Sequence, residues 1–206
     1  MRILPDDTDG QTPLEEDEKE GLRIPTVATR AELDEWEQQN IEEAMLWLLG
    51  RRFPMQTILR PEFLRDLHRR MFRKVWTWAG RYRTTDKNLG VDKHQISVLV
   101  RALCDDTLHQ HRNGLYPPDE LAIRFKHRCV SIHPFPNGNG RHSRMMADAI
   151  IHLGYGRPMF AWTGDGRVPP DAQRAAYLRA LRQADAGNIG PLLAFARPGP
   201  RAAGTP

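Results

Sequence analysis

An all-α domain with a short β-hairpin flap and an N-terminal helical extension is the fold class that this 206-residue sequence predicts. Three observations point to it. Apolar residues recur at helical spacing in most segments, and helix-start signals precede them. Only one stretch, Val75 to Val91, has the aromatic and β-branched texture of extended chain. At 40% hydrophobic content the chain can fill one core of this size, which excludes a disulfide-stapled mini-protein or a multidomain assembly.

The elements follow in order. Thr12-Pro-Leu-Glu15 is a capping box with proline at the first helical position, predicting a short helix that ends at Gly21. A second box, Thr29-Arg-Ala-Glu32, opens a longer helix with Leu33, Trp36, Ile41, Ala44, Met45 and Leu48 as its apolar stripe and Gly50 as its stop. Pro61 begins a third, with Phe63, Leu64, Leu67, Met71 and Phe72 on one side. Residues 82–94 read as a hairpin or extended flap around Asn88 and Gly90. Helical spacing returns from Gln95 to His111, and Pro117-Pro118 opens a helix over 119–132. Further helices are predicted over 140–153, 171–185 and 189–196, and the Pro/Gly-rich 198–206 is expected to be disordered. The organisation is then an acidic segment 1–22, an N-terminal helix unit 23–54 packing on the core, the main domain 55–197 and the tail.

Charge is segregated. Residues 1–20 carry eight acids against two bases, a net −6, while the remaining 186 residues sum to +10. The longest apolar run is six residues, Ala44 to Leu49, far below the roughly 20 of a membrane-spanning helix. No signal peptide is legible, and Cys104 and Cys129 form no CxxC pair. A cytoplasmic, reduced protein is expected, with no membrane partner. The Arg/Lys excess without a reading helix gives little support to direct nucleic-acid binding.

The chemistry is concentrated in His133-Pro-Phe-Pro-Asn-Gly-Asn-Gly-Arg-His-Ser-Arg144. Two prolines and two glycines shape a loop that feeds a helix N-terminus, where unpaired N–H groups and the macrodipole favour an anion. Arg141 and Arg144 stand three apart in the first turn and share a face. Two cations there cost roughly 0.3–1 kcal/mol each in a purely structural helix, a cost that a bound polyphosphate would offset. His133, four residues after Cys129, is placed as a base titrating near neutral pH. His127, His142 and His152 read as surface or packing residues, and no spacing supports a zinc site. Phe72, Trp76 and Trp78 read as core aromatics, and Met145-Met146 as packing.

This string resembles the Fic (Fido) domain signature HPFx[D/E]GNGRxxR at every fixed position but the acidic one, which is Asn137. Trp78-Ala-Gly80 with Arg83-Thr84, and Tyr177-Leu-Arg-Ala-Leu with Pro191-Leu-Leu-Ala-Phe, are similar to the flanking Fic text. Thr12-Pro-Leu, Gly21-Leu-Arg-Ile-Pro and Ala31-Glu-Leu-Asp-Glu-Trp-Glu-Gln resemble the bacterial subgroup called mobile mystery protein B. The resemblance implies protein adenylylation: AMP moves from ATP to a Ser, Thr or Tyr hydroxyl of a target protein and pyrophosphate leaves. It implies His133 as general base and Phe135, Asn137, Gly138, Asn139, Gly140, Arg141, Arg144 and Tyr177 at ATP, with the glycines and Asn139 cradling phosphates. Arg83, Thr84, Thr85, Asn88 and Leu89 would form the flap that clamps the target. Mg²⁺ would be held at position 137, weakly, because Asn offers a neutral oxygen where the family has an acid. Gly138 and Arg141 favour the adenylylating form over the Doc variant, which has Ala and Lys there. The family's inhibitory glutamate suggests Glu16 or Glu20 as an acid that occupies Arg144, although neither fits the [S/T]xxxE[G/N] pattern cleanly. The subgroup resemblance also suggests a helix-turn-helix partner protein. Two alternatives stand beside adenylylation: a catalytically weak nucleotide-binding regulator or antitoxin-like partner, and a related phosphotransferase.

Overall fold

The structure, a computed structural model, describes residues 20–162 and 170–197. The short helix predicted from Thr12, Glu16 and the tail 198–206 lie outside the described residues. Helix α1 (Arg30–Leu49) starts at the expected capping box: Thr29 Oγ1 accepts from Glu32 N–H, and Glu32 accepts from Thr29 N–H. A short α2 (Met55–Ile58), which apolar spacing did not reveal, leads into α3 (Pro61–Phe72). A 3₁₀ turn (Lys93–Gln95) precedes α4 (Ile96–Arg112), and α5 (Pro118–Ile132) runs up to the motif loop. Helix α6 (Asn139–Ala149) leaves that loop and ends in a π turn (Ile150–Gly154). Helices α7 (Pro170–Asp185) and α8 (Gly190–Ala196) complete the frame.

Helix α5 sits centrally and packs against α4, α6 and α8, while α3 lies between α1 and α6. Leu64, Leu67 and Met71 of α3 and Ala122, Phe125 and Ile132 of α5 are buried in one continuous core. Phe72, Trp76, Met145 and Met146 belong to it, as expected, and so do Cys104 and Cys129.

Two expectations change. The buried stripe of α1 is not wholly apolar: Trp36 is exposed, whereas Glu37 and Asn40 are buried. Asn40 is satisfied on both sides, donating to Arg70 C=O at 2.9 Å and accepting Lys74 N–H at 3.0 Å, so α1 is latched to the end of α3 by polar contacts. The second change is at the flap. Residues 82–92 form no strand pair and run as irregular chain with bends at 84–85 and 88–91. The reason is Arg83, whose guanidinium donates to the carbonyls of Thr85, Val91 and His133. One side chain takes the place of a hairpin ladder.

Leu64 is fully buried between α3 and its neighbours, and Leu64→Ala opens a cavity there. It is expected to lower stability by about 3 kcal/mol, read as a drop in urea midpoint with unchanged slope.

Candidate functional site

The loop 133–138 closes on itself before any ligand is considered. Asn139 accepts Phe135 N–H at 2.9 Å and donates to Phe135 C=O at 2.8 Å, and it is 3% exposed. This amide therefore shapes the loop: both its oxygen and its nitrogen are engaged with the Phe135 backbone, and it is turned away from the surface. Phe135 is fully buried, stacked on the His68 ring at 3.7 Å between centroids, so it supports the loop from inside and does not face a nucleotide. Gly138 has φ 75°, and a Cβ there would come within 2.4 Å of the Phe72 ring. Only glycine fits that approach. Gly140 has open space above it, on the helix turn that presents Arg141 and Arg144.

His68 joins this loop to the Trp-Ala-Gly segment. Its Nδ1 accepts Gly80 N–H at 3.0 Å, so in the neutral ring the proton is on Nε2, which donates to Asn137 C=O at 3.1 Å. Burial, with His142 and Arg141 adding to it, holds its pKa well below the usual imidazole value. His142 is likewise buried, donates to Leu64 C=O at 2.9 Å and is pushed down to about 4 by desolvation. Of the three histidines expected at the surface or in packing, this one is core.

His133 has left-handed backbone geometry, φ 54° and ψ 59°, where α5 ends. Desolvation, then the Arg83 charge, lowers its pKa to about 4, against a hydrogen bond to the Val130 backbone that favours the charged form. This corrects the near-neutral titration expected from sequence: at pH 7 the ring is neutral. Gly90 of the flap, at φ 99°, lies so close that a Cβ would meet His133 Cβ at 2.6 Å. Arg83 N–H donates to Pro134 C=O and Val91 N–H to Ile132 C=O, so the flap is pinned along both sides of His133. Arg83, 3% exposed, is thus an anchor of the flap and has no surface to offer a target. Thr84, Asn88 and Leu89 are exposed, and Thr85 is half-buried.

The two motif arginines differ. Arg141 pairs with Glu37 Oε2 at 2.5 Å and lies 5.1 Å from the Phe72 ring centroid. Glu37 is 2% exposed and also accepts from Trp76 Nε1 at 2.6 Å. A structural carboxylate therefore supplies part of the negative charge that the helix N-terminus lacks. Sequence reading missed Glu37 because it stands in an acid-rich helix 104 residues before its partner, and its one signal is that it falls on the Leu33–Ala44 face. Arg144 has no carboxylate partner among the described residues. It leans over the Tyr177 ring at 5.7 Å, and its Nε reaches Gly140 C=O at 3.4 Å. Glu20 is exposed in a cavity bordered by Thr77, Arg81, Thr84 and Pro136.

Behind Tyr177 is a second residue the sequence did not single out. Lys126 is fully buried and donates to Tyr177 Oη at 2.5 Å. Desolvation, then the Arg144 charge, holds its pKa well below the usual lysine value, while burial raises the Tyr177 phenol to about 12. Asp148, one turn beyond Arg144, is raised by burial to about 6 and accepts from Phe160 N–H and Trp162 Nε1. It ties the chain after α6 back onto that helix.

For a metal, the donor set is thin. Asn137 Oδ1 already accepts Gly138 N–H at 2.5 Å. Among the described residues no group of three His, Cys, Asp or Glu side chains converges. A hard divalent cation seeks several oxygen ligands, and these residues do not by themselves fit one. Nor is any helix of the described residues long and apolar enough to cross a membrane.

Comparison with known proteins agrees with this geometry. Residues 58–151 match the family model described as Fic/DOC family. A protein named protein adenylyltransferase Fic from Drosophila grimshawi is 27% identical over 135 residues, 63% of this chain and 26% of that protein. The chain spans about a quarter or less of the length of the curated relatives it matches. Fic-1 from C. elegans has TM-score 0.65 at 22% identity, covering 86% of this chain and 51% of the other. BepC, a VirB-translocated effector of Bartonella tribocorum with bound AMPPNP, has TM-score 0.62 at 17% identity over 88% and 96%. Loop and helical frame fall on the stretch that matches the Fic/DOC family model, residues 58–151, and the fold is that of the Fic-domain structures.

Proposed function

We propose that the chain is a protein adenylyltransferase that moves AMP from ATP to a hydroxyl of a target protein. The observation that carries this reading is a neutral His133, beneath the flap, at one end of the short motif loop, with Arg141 and Arg144 on the N-terminal turn of α6 at its other end. In the reaction the target oxygen bonds to the α phosphorus, the bond to the β-phosphate bridging oxygen breaks, and pyrophosphate leaves. One ring nitrogen of neutral His133 donates to the Val130 backbone, so the other is unprotonated and takes the hydroxyl proton. Gly140 and the first turn of α6 offer backbone N–H groups to the phosphates, while Gly138 makes the turn that leads into it. Arg141 and Arg144 neutralise the β and γ phosphates, and the Tyr177 ring, held by Lys126, walls the nucleotide pocket. Exposed Thr84, Asn88 and Leu89, with Thr85, offer the flap edge to an extended target segment. The names of the curated relatives and the nucleotide-bound Bartonella neighbour support the same reading.

A second reading has its own observation. Glu37 occupies Arg141 and Asn137 provides no carboxylate, which favours a nucleotide-binding regulator with weak catalysis. Labelled ATP separates the readings. With α-³²P-ATP, target lysate and Mg²⁺, label is expected on protein and is expected to disappear in His133→Ala. Label from γ-³²P-ATP instead means phosphotransfer, and no label with intact ATP binding means a regulator.

Glu37 must yield Arg141 to an incoming phosphate, so Glu37→Gln, which keeps a Trp76 acceptor, is expected to tighten ATP binding roughly tenfold, measured by titration calorimetry. The pH dependence has a worked sign. His133 at about 4 remains a competent base well below pH 6.5, so the acid limb of the transfer rate is expected at about 4 and not at 6.5. His68, His133 and His142 all have depressed values. Between pH 6.5 and about 4 the unfolded chain therefore binds more protons than the native one. Stability contributed by the neutral rings is complete above the unfolded value of about 6.5 and is lost as pH falls toward 4, seen as a falling urea midpoint over that window.

A further inference from the structure

Away from the motif loop, a cavity of about 740 Å³ opens between α3 and the segment 73–81. Six cations line it: Arg23, Arg65, Arg69, Arg73, Lys74 and Arg81. Two acids answer them. Asp66 pairs with Arg69 at 2.5 Å, and Glu43 pairs with Lys74 at 2.5 Å. Arg65 donates to Gly80 C=O and lies 5.4 Å from the Tyr82 ring centroid, which fixes its position without neutralising it. The cleft has a standing positive excess, and none of these residues takes part in the motif loop.

The chain that enters the described structure runs along the rim of this cleft. Thr77 N–H donates to Gly21 C=O at 2.9 Å and Arg23 N–H to Val75 C=O at 2.8 Å, around the antiparallel bridge between Leu22 and Trp76. Glu20 stands in an adjoining cavity that shares Thr77 and Arg81 with the basic one. Beyond Lys19, residues 6–18 contain seven acids and no base, four of them consecutive at 15–18. Five residues of chain reach at most about 17 Å. The tether at Gly21 and Leu22 holds those carboxylates at an effective concentration in the millimolar range, which an external anion must exceed to compete.

We propose that this basic cleft is an intramolecular docking site for the acidic segment 15–18. The tether delivers the four carboxylates to Arg73, Arg81 and Arg23, none of which has an ion pair among the described residues. Docking there places the segment beside the flap and away from Arg144, a different seat from the one the family resemblance suggests. The pairing is between partly exposed groups and weakens with salt.

The test uses the full chain with a nitroxide at Leu14→Cys. Cys104 and Cys129 are buried, with thiols raised to about 12 by desolvation, so labelling is selective. At low salt the amide signals of Thr77, Gly80 and Arg81 are expected to lose at least half their intensity. The loss should vanish in 0.5 M NaCl, where the Debye length is about 4 Å. It should vanish also in Arg73→Glu/Arg81→Glu, whose other amide shifts report whether it is folded. No broadening at these amides at low salt overturns the proposal, as does equal broadening in a folded double variant, or broadening centred on Arg144 and Tyr177. A short DNA duplex that binds the full chain at submicromolar concentration and removes the broadening would assign the cleft to nucleic acid instead.

Discussion

The site depends on one neutral imidazole. His68 takes Gly80 N–H on one nitrogen and gives its proton to Asn137 C=O from the other, so two loops far apart in sequence are set by a single ring. Both bonds require one tautomer, and a charged ring would lose its acceptor toward Gly80. The stack on Phe135 and the edge contact with His142 keep that ring out of water. Asn139 can then close the loop only because Phe135 is fixed beneath it. The turn at Gly138 in turn needs the Phe72 ring as its floor. The anion-ready end of α6 is therefore built from below, by aromatic and imidazole rings that never meet a ligand.

Charge at that end is balanced internally. Two arginines at a helix N-terminus oppose its dipole, and α1 answers one of them with the buried Glu37 carboxylate. The Trp76 indole holds the other oxygen of that carboxylate, so α1 acts on the loop through a contact fixed at both ends. Arg144 is treated differently. Its neighbours are the Tyr177 ring and the buried Lys126 amine, an environment that makes an arriving anion more welcome than at Arg141. An anion arriving at this turn would meet one arginine already engaged with a carboxylate and one with no carboxylate partner among the described residues.

The frame was legible in the sequence because its signals are local. The Thr29 capping box, proline at position 61 and the apolar spacing of α3 to α5 each lie within a few residues of what they specify. The motif string located the site for the same reason. What it could not do is separate residues that fold the loop from residues that face outward, since Phe135 and Asn139 stand in the same string as Gly140 and Arg144. Glu37, His68 and Lys126 escaped because their partners are 104, 69 and 51 residues distant. The flap was read as a possible hairpin from residue texture. Arg83 satisfied the carbonyls that a ladder would have used, and texture carries no information about a guanidinium's choice of acceptors.

That Arg83 anchor has a consequence for recognition. A loop that orders itself only when a partner arrives subtracts its lost conformational entropy from the binding free energy. Here the edge beside His133 is preorganised: backbone bonds from Arg83 and Val91 and three side-chain donations hold it in place. Any ordering cost on pairing with this edge then falls on the incoming chain. Discrimination among partners would follow how readily each can present an extended segment, and a hydroxyl locked in a helix or a rigid turn would be disfavoured whatever its neighbouring side chains.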